Sequence, residues 1–181
     1  CVQETYIRIK LNKQFAIKLE GEFKNQSATQ IVDFQDDFLG VENRRWILAN
    51  EVDIPISTSQ QGSFGIDYNQ NNLNVDLTSY YKVVDGITAS NQGFYNNFQF
   101  LNATGSYIVK GIEFLVNKTS STFSTWLSYT YSINDYEFQS FTPSQFPNNV
   151  DIRHSLSLAF NYNILKDLEI SIGGIYRSGQ P

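Results

Sequence analysis

Apolar and polar residues alternate with a period of two through most of this chain, and that pattern restricts it to extended strands. Between Leu156 and Tyr162, every even-numbered residue is leucine or aromatic, whereas the odd-numbered residues are serine, alanine or asparagine. Successive side chains of a strand point to opposite faces, so such a segment has one apolar and one polar face. The same alternation recurs in Ile7–Leu11, Phe15–Phe23, Phe64–Tyr68, Leu73–Tyr81, Ile108–Val116, Phe123–Ser132 and Leu168–Arg177. The sequence therefore predicts roughly eight strands.

The connections between these strands are short and long in turn. Short turns are predicted at Asn12–Gln14, Gln70–Asn72, Asn117–Ser121 and Asn163–Asp167, and long polar connections at 25–62, 83–105 and 133–153. In an up-and-down antiparallel sheet this places all short turns at one end and all long connections at the other, as in outer-membrane barrels. The ten-residue segments also match the ~9–11 residues of a membrane-spanning strand. We therefore predict an all-β fold, an antiparallel up-and-down transmembrane β-barrel.

Composition excludes several other classes of protein. Methionine is absent and alanine occurs only six times, so strong helix formers are scarce. Charged residues make up 17% of the chain, fewer than the ~25% of a typical soluble domain. The longest apolar run, Trp46–Ala49, is far too short for a membrane helix. The net charge of −5 argues against a nucleic-acid partner.

The residues that usually carry catalysis or bind metals are few. Cys1 is the only cysteine and His154 the only histidine, which argues against a disulfide framework, a cysteine zinc site or a histidine cluster. We expect His154 to serve structural hydrogen bonding where a loop enters a strand. No catalytic residue, metal site or cofactor site is predicted.

Two loop segments are candidate ligand-binding sites. Arg44, Arg45 and Trp46 could bind an anionic ligand, since guanidinium groups suit carboxylate and phosphate, or could anchor the loop to its own acidic residues. Phe94, Tyr95 and Phe98 lie in an aromatic segment rich in asparagine and glutamine. That composition suits stacking on an organic ligand, but it also suits packing of the loop on itself. Both alternatives stay open for each segment.

Six stretches carry a more specific pattern: Asp37–Trp46, Tyr80–Ile87, Lys110–Phe114, Thr125–Tyr131, Phe146–His154 and Tyr176–Pro181. Each stretch alone is weak evidence. Together they extend over nearly the whole chain and resemble the TonB-dependent outer-membrane receptors of Bacteroidetes-type bacteria.

The resemblance implies a location in the bacterial outer membrane and a barrel of about 22 strands with a plugged lumen. Residues 1–181 would form part of that one barrel domain, about eight strands of it, without the plug domain and without the last strands. Such receptors are not enzymes and import scarce nutrients such as siderophore-bound iron, cobalamin or glycans. The implied partners are outer-membrane lipids, a small-molecule nutrient and the inner-membrane TonB energy-coupling complex, which acts through the plug.

Two other interpretations compete with this one. The chain could form a complete eight-stranded outer-membrane barrel with a structural or adhesive role. The interior of such a barrel must be filled by side chains, however, and Ser155, Ser157 and Ala159 on the polar face are small. Alternatively, it could be a secreted carbohydrate-binding β-sandwich that uses Trp46 and Phe94 as stacking platforms.

Overall fold

The computed structural model describes residues 1–33, 43–50, 54–89, 95–96, 99–100 and 103–181. These residues form strands and connections, and no helix among them is long and apolar enough to cross a membrane. The strands are β1 (Val2–Lys10), β2 (Phe15–Gln26), β3 (Ala28–Asp33), β4 (Asn43–Leu48), β5 (Ser57–Gln70), β6 (Leu73–Thr88), β7 (Tyr95–Asn96), β8 (Gln99–Phe100), β9 (Thr104–Thr119), β10 (Phe123–Glu137), β11 (Gln145–Pro147), β12 (His154–Leu165) and β13 (Leu168–Arg177).

Eight long strands form one antiparallel meander in the order β1-β2-β5-β6-β9-β10-β12-β13, with β11 paired to β10 beside it. The prediction of an all-β, antiparallel, up-and-down arrangement is confirmed. The sheet is open, however: β1 and β13 are its two edges, and the described residues do not close it into a barrel. Two separate hairpins, β3–β4 and β7–β8, lie within two of the long connections.

The strands are longer than the alternation predicted. Strands β6 and β9 have 16 residues each and β10 has 15. Strands β6 and β10 extend well into the segments expected to be long polar connections, and β9 begins at Thr104, four residues before its predicted start. Strand β5 begins at Ser57 rather than near Phe64. Its first residues, Ser57–Gln61, are polar on both faces, so they show no alternation, yet the backbone ladder with β2 continues through them.

Asparagine side chains and backbones set the short turns. Asn71 and Asn72, between β5 and β6, have φ angles of 51° and 57°. Positive φ at both central residues is the geometry of a two-residue type I′ hairpin, and asparagine tolerates it well. In the turn before β2, the Asn12 Oδ1 accepts hydrogen bonds from the backbone N–H groups of Gln14 (2.7 Å) and Phe15 (2.8 Å). These turns fix the register of the strands that they join.

The register gives the sheet one apolar face, because directly opposed residues of an antiparallel pair share a face. One row of apolar residues crosses all eight strands: Ile9, Ile17, Ile66, Leu77, Phe114, Tyr129, Leu156 and Tyr176. We call the face that carries this row the apolar face. Many of its large side chains are exposed: Ile7, Ile9, Phe15, Leu19, Phe64, Ile66, Leu77, Tyr81, Ile112, Tyr131, Leu158, Tyr162, Ile170, Ile172 and Tyr176.

The opposite face is polar over most of its area. A neighbouring row on this polar face contains Arg8, Lys18, Gly65, Thr78, Glu113, Thr130, Ser155 and Arg177. A cluster of buried apolar side chains occurs at its long-connection end, formed by Val84, Ile87, Ala89, Tyr136 and Phe138. Among the described residues, the sheet thus has no central core between layers: one face carries exposed apolar side chains and the other carries mostly polar ones.

Gly111 permits a close contact between neighbouring strands on the polar face. It lies directly opposite Tyr80, and a Cβ atom at this position would lie 2.6 Å from the Tyr80 hydroxyl and 2.4 Å from the backbone oxygen of Tyr131. The Tyr80 ring therefore occupies the space that a side chain at residue 111 would need.

We expect Gly111→Ala to destabilise the protein by about 1–3 kcal/mol, because the added methyl group meets backbone that cannot move cheaply. Gly174→Ala is the matched control, since a Cβ there has nothing within 4 Å. Both variants remove the same glycine freedom from the unfolded chain, so their difference isolates the clash. Urea unfolding of the full-length protein measures it, and equal stability of the two variants would disprove the close contact.

Candidate functional site

The first predicted ligand-binding segment lies on strand β4. Arg44, Arg45 and Trp46 are consecutive there, and their backbone partners are on β3. The Trp46 side chain is 67% exposed, so it is accessible for stacking. Binding of an anionic ligand by the two arginines stays a prediction, and so does the alternative that they anchor the loop.

The second predicted segment is only partly within the described residues. Phe94 and Phe98 lie outside them. Tyr95 is on β7, where it is paired through the backbone with Phe100 of β8. The hairpins β3–β4 and β7–β8 are separate sheets, so strand pairing does not join the two segments. The assignment of Phe94, Tyr95 and Phe98 to a ligand stays a prediction.

The polar face carries an ion cluster that the sequence alone did not indicate. The Arg8 guanidinium lies 3.2 Å from Asp67, and the Lys18 ammonium lies 3.1 Å from the other Asp67 oxygen. Lys18 is also paired with Asp76, whose Oδ1 accepts a hydrogen bond of 2.8 Å from the Thr78 hydroxyl. The cluster joins β1, β2, β5 and β6 with two cations and two carboxylates, so its formal charge is balanced.

A glycine makes room for this ion cluster. A Cβ atom at Gly65 would lie 2.7 Å from the Thr78 hydroxyl and 2.9 Å from the Lys18 Cε. Gly65 is directly opposite both residues, on β5 between β2 and β6. Its missing side chain thus lets the lysine reach across to the carboxylate of Asp76.

A shallow cavity of about 410 Å³ lies on the β1 side of the sheet, with Glu4, Tyr6, Glu20, Glu22 and Lys24 in its wall. Glu22 is paired with Lys24, and Glu20 accepts a hydrogen bond of 3.1 Å from the Ser63 hydroxyl. In the part of the chain that the structure describes, no three His, Cys, Asp or Glu side chains are grouped to hold a metal ion. The cavity is therefore best described as a polar, ion-paired surface.

A network of hydrogen bonds and ion pairs holds the connection between β10 and β12 against the sheet. Asp151, only 3% exposed, accepts a hydrogen bond of 2.9 Å from the Asn134 N–H and contacts the Arg153 Nε at 2.6 Å. The second carboxylate near Arg153 is Asp135, at 3.5 Å. The Asn148 N–H donates to the Asn134 carbonyl at 2.8 Å. We call Asn134, Asn148, Asp151 and Arg153 the β10–β12 network.

Aromatic ring contacts connect this network to the buried cluster. Phe138 is stacked on Phe141 at 4.9 Å, and Tyr136 lies 5.7 Å from Phe146. Tyr107 meets Tyr136 edge-on at 6.2 Å. The segment Phe146–His154, which carries part of the family resemblance, is therefore a structural element. Its Asp151–Arg153 ion pair helps to hold the connection against the sheet.

His154 lies on the apolar face rather than in a reactive site. Its Nδ1 is 2.9 Å from the Tyr129 hydroxyl, and the Tyr131 ring is 5.1 Å from the imidazole ring. The His154 N–H donates to the Ser178 hydroxyl at 3.0 Å. These contacts are the loop-to-strand hydrogen bonding that the sequence predicts for this residue.

Comparisons with protein-family models, with curated proteins and with solved structures found no match to this chain.

We expect Asp151→Ala to disrupt the β10–β12 network and to lower the free energy of unfolding by ~1.5–3 kcal/mol, the range for hydrogen bonds to a charged group. Hydrogen exchange of the Asn134 and Asn148 amides should accelerate, and protease should cut more readily between residues 138 and 153. Asp167→Ala is the control, because Asp167 is exposed in the turn before β13. Unchanged hydrogen exchange in the Asp151 variant would mean that the β10–β12 network does not hold this segment.

Proposed function

We propose that this chain forms part of the wall of a bacterial outer-membrane β-barrel of the TonB-dependent receptor type, which takes up a scarce nutrient. The observation that carries the proposal is the apolar face, which extends over all eight strands and is exposed on every one of them. Exposed apolar patches larger than a few hundred Å² mark interaction or membrane surfaces. A face of eight strands is best matched by the hydrocarbon of a bilayer.

The distribution of charge on the apolar face supports this placement. On β9, Lys118 and Lys110 lie on that face with Val116, Phe114 and Ile112 alternating between them. The three cross-strand rows between the two lysines contain no Asp, Glu, Lys or Arg. Eight residues span about 26 Å along a strand, or about 20 Å in height when the strand is tilted. That height fits an apolar band of ~25 Å between flexible lysine side chains.

The orientation of Lys118 agrees with the edge of such a band. Its ammonium group donates a hydrogen bond of 2.7 Å to the Asn71 carbonyl, in the turn between β5 and β6. The charge is thus directed away from the apolar rows and towards the short-turn end. This is the direction in which a lysine near a membrane interface extends.

The polar face suits a hydrated lumen. It carries the ion cluster of Arg8, Lys18, Asp67 and Asp76, whereas on β12 and β13 half of its residues are small, including Ser157 and Gly173. Small side chains cannot fill a narrow barrel, so this face favours a large barrel over a complete eight-stranded one. The open edges set a further requirement. In a bilayer every backbone polar group must be paired, so β1 and β13 must each pair with another strand.

The nutrient and the partners follow from the family resemblance. We propose that outer-membrane lipids surround the apolar face, that a small-molecule nutrient enters from the long-connection end, and that the TonB complex acts through a plug domain. Arg44, Arg45, Trp46, Phe94, Tyr95 and Phe98 are the proposed ligand-binding residues, since loops on a rigid scaffold commonly carry binding.

The test places one charge on each face of the same strand. We expect Leu158→Lys in the full-length protein to cost ~2–4 kcal/mol, since Leu158 lies on the apolar face near the middle of β12. Ser157→Lys, one residue away on the polar face, should cost much less. Both variants are compared by their abundance in the outer membrane and by unfolding in lipid vesicles.

Two outcomes would count against the proposal. Equal penalties for the two lysines would mean that the faces are wrongly assigned to lipid and lumen. A full-length protein that is soluble without detergent and tolerates both lysines would favour the secreted β-sandwich instead.

A further inference from the structure

A groove interrupts the apolar face near its long-connection end. Gly21 of β2 and Gly62 of β5 lie directly opposite each other, and a Cβ atom at either position would have nothing within 4 Å. The depression above them has a volume of about 510 Å³. Two adjacent strands thus lack a side chain at a place where the neighbouring rows carry leucine, isoleucine and phenylalanine.

The groove has apolar walls and a polar rim. Phe23, Tyr81 and Val83 line it, together with the polar residues Gln3, Thr5 and Gln60. Gln60 and Phe23 are paired across β5 and β2, one row further towards the long connections than the glycines. An occupant must therefore be narrow and apolar along most of its length, and polar where it meets this rim.

One cation lies beside the groove on the same face. Lys110 is directly opposite Tyr81, which places it two strands, or about 10 Å, from Gly62. Lys110 is exposed and forms no ion pair with any described residue. The same-face carboxylate one row away, Asp135, is already paired with Arg153. The flexible ammonium group of Lys110 is therefore available to an anion beside the groove.

We propose that this groove holds one acyl chain of a membrane lipid, with the lipid's anionic phosphate headgroup bound by Lys110. The inference rests on the proposed placement of the apolar face in a bilayer. An empty groove there would forfeit van der Waals contacts on its floor and walls, and packing of this kind governs association within a membrane. A flexible acyl chain can supply those contacts, and the rim and lysine lie where the charge-free rows end.

The experiment measures lipid retention by native mass spectrometry of the full-length protein, purified in detergent and offered phosphatidylglycerol or phosphatidylcholine. We expect the wild-type protein to retain one phosphatidylglycerol molecule. Gly62→Leu should reduce that occupancy about tenfold, which corresponds to losing roughly ten heavy-atom contacts. Gly174→Leu is the matched control, since Gly174 is also on the apolar face, opposite Leu158, with open space around its Cα. Its occupancy should match that of the wild type.

A second variant tests the headgroup. Lys110→Gln should lower the preference for phosphatidylglycerol over phosphatidylcholine about fivefold, the value of one lysine near an anionic lipid surface. Equal retention by the Gly62 variant and the wild type, or equal loss from both glycine variants, would overturn the acyl-chain site. An unchanged lipid preference in Lys110→Gln would overturn the role of the lysine. A protein that inserts into vesicles but retains no lipid would contradict this inference alone, whereas one that does not insert would contradict the proposed function.

Discussion

The register of the antiparallel backbone ladder is the constraint on which the rest of this structure depends. Side chains alternate along each strand, so a shift of one residue between two neighbours would move a whole strand's apolar set to the opposite face. The tight turns prevent that shift: the asparagine pair at Asn71 and Asn72 adopts the left-handed geometry of a two-residue hairpin, and Asn12 closes the turn before β2. With the register fixed, one apolar row extends unbroken from β1 to β13. The separation of the two faces is a consequence of these local turns.

The same register determines which polar groups meet. Lys18 reaches Asp67 and Asp76 because β2, β5 and β6 are adjacent and because Gly65 leaves the space between them open. Tyr80 occupies the space above Gly111 in a similar way on the next pair of strands. On the apolar face the opposed pair Gly21 and Gly62 produces a groove instead. Gly65 and Gly111 thus leave space that a neighbouring side chain occupies, whereas Gly21 and Gly62 leave their space open.

The sequence predicted what depends on alternation alone. The eight strands, their antiparallel order and the faces of Leu158 and Ser157 could be read from period two and from the lengths of the connections. The early start of β5 could not, because Ser57–Gln61 is polar on both faces while its backbone still pairs with β2. The β3–β4 hairpin was missed within a segment expected to be a polar connection.

The side-chain clusters were less predictable than the strands. The ion cluster joins residues as far apart in sequence as Lys18 and Asp76, so only the register could reveal it. The β10–β12 network depends on the burial of Asp151, which no local sequence pattern indicates. The sequence predicted that these strands form part of a larger transmembrane barrel; in the described residues the sheet is open and β1 and β13 do not pair with each other, so the barrel stays a proposal. Closure depends on partners for both edges, which the alternation of single strands does not specify.

A nitroxide scan along β12 measures whether the apolar face contacts lipid. Single labels at residues 155–162 of the full-length protein in lipid vesicles, with Cys1 replaced by serine, would be probed for collision with oxygen and with a water-soluble nickel complex. We expect high oxygen accessibility at the even positions Leu156, Leu158, Phe160 and Tyr162, because oxygen concentrates in lipid. The nickel complex should show no such peak there. An absence of period-two alternation, or even positions accessible mainly to the nickel complex, would show that the apolar face does not contact lipid.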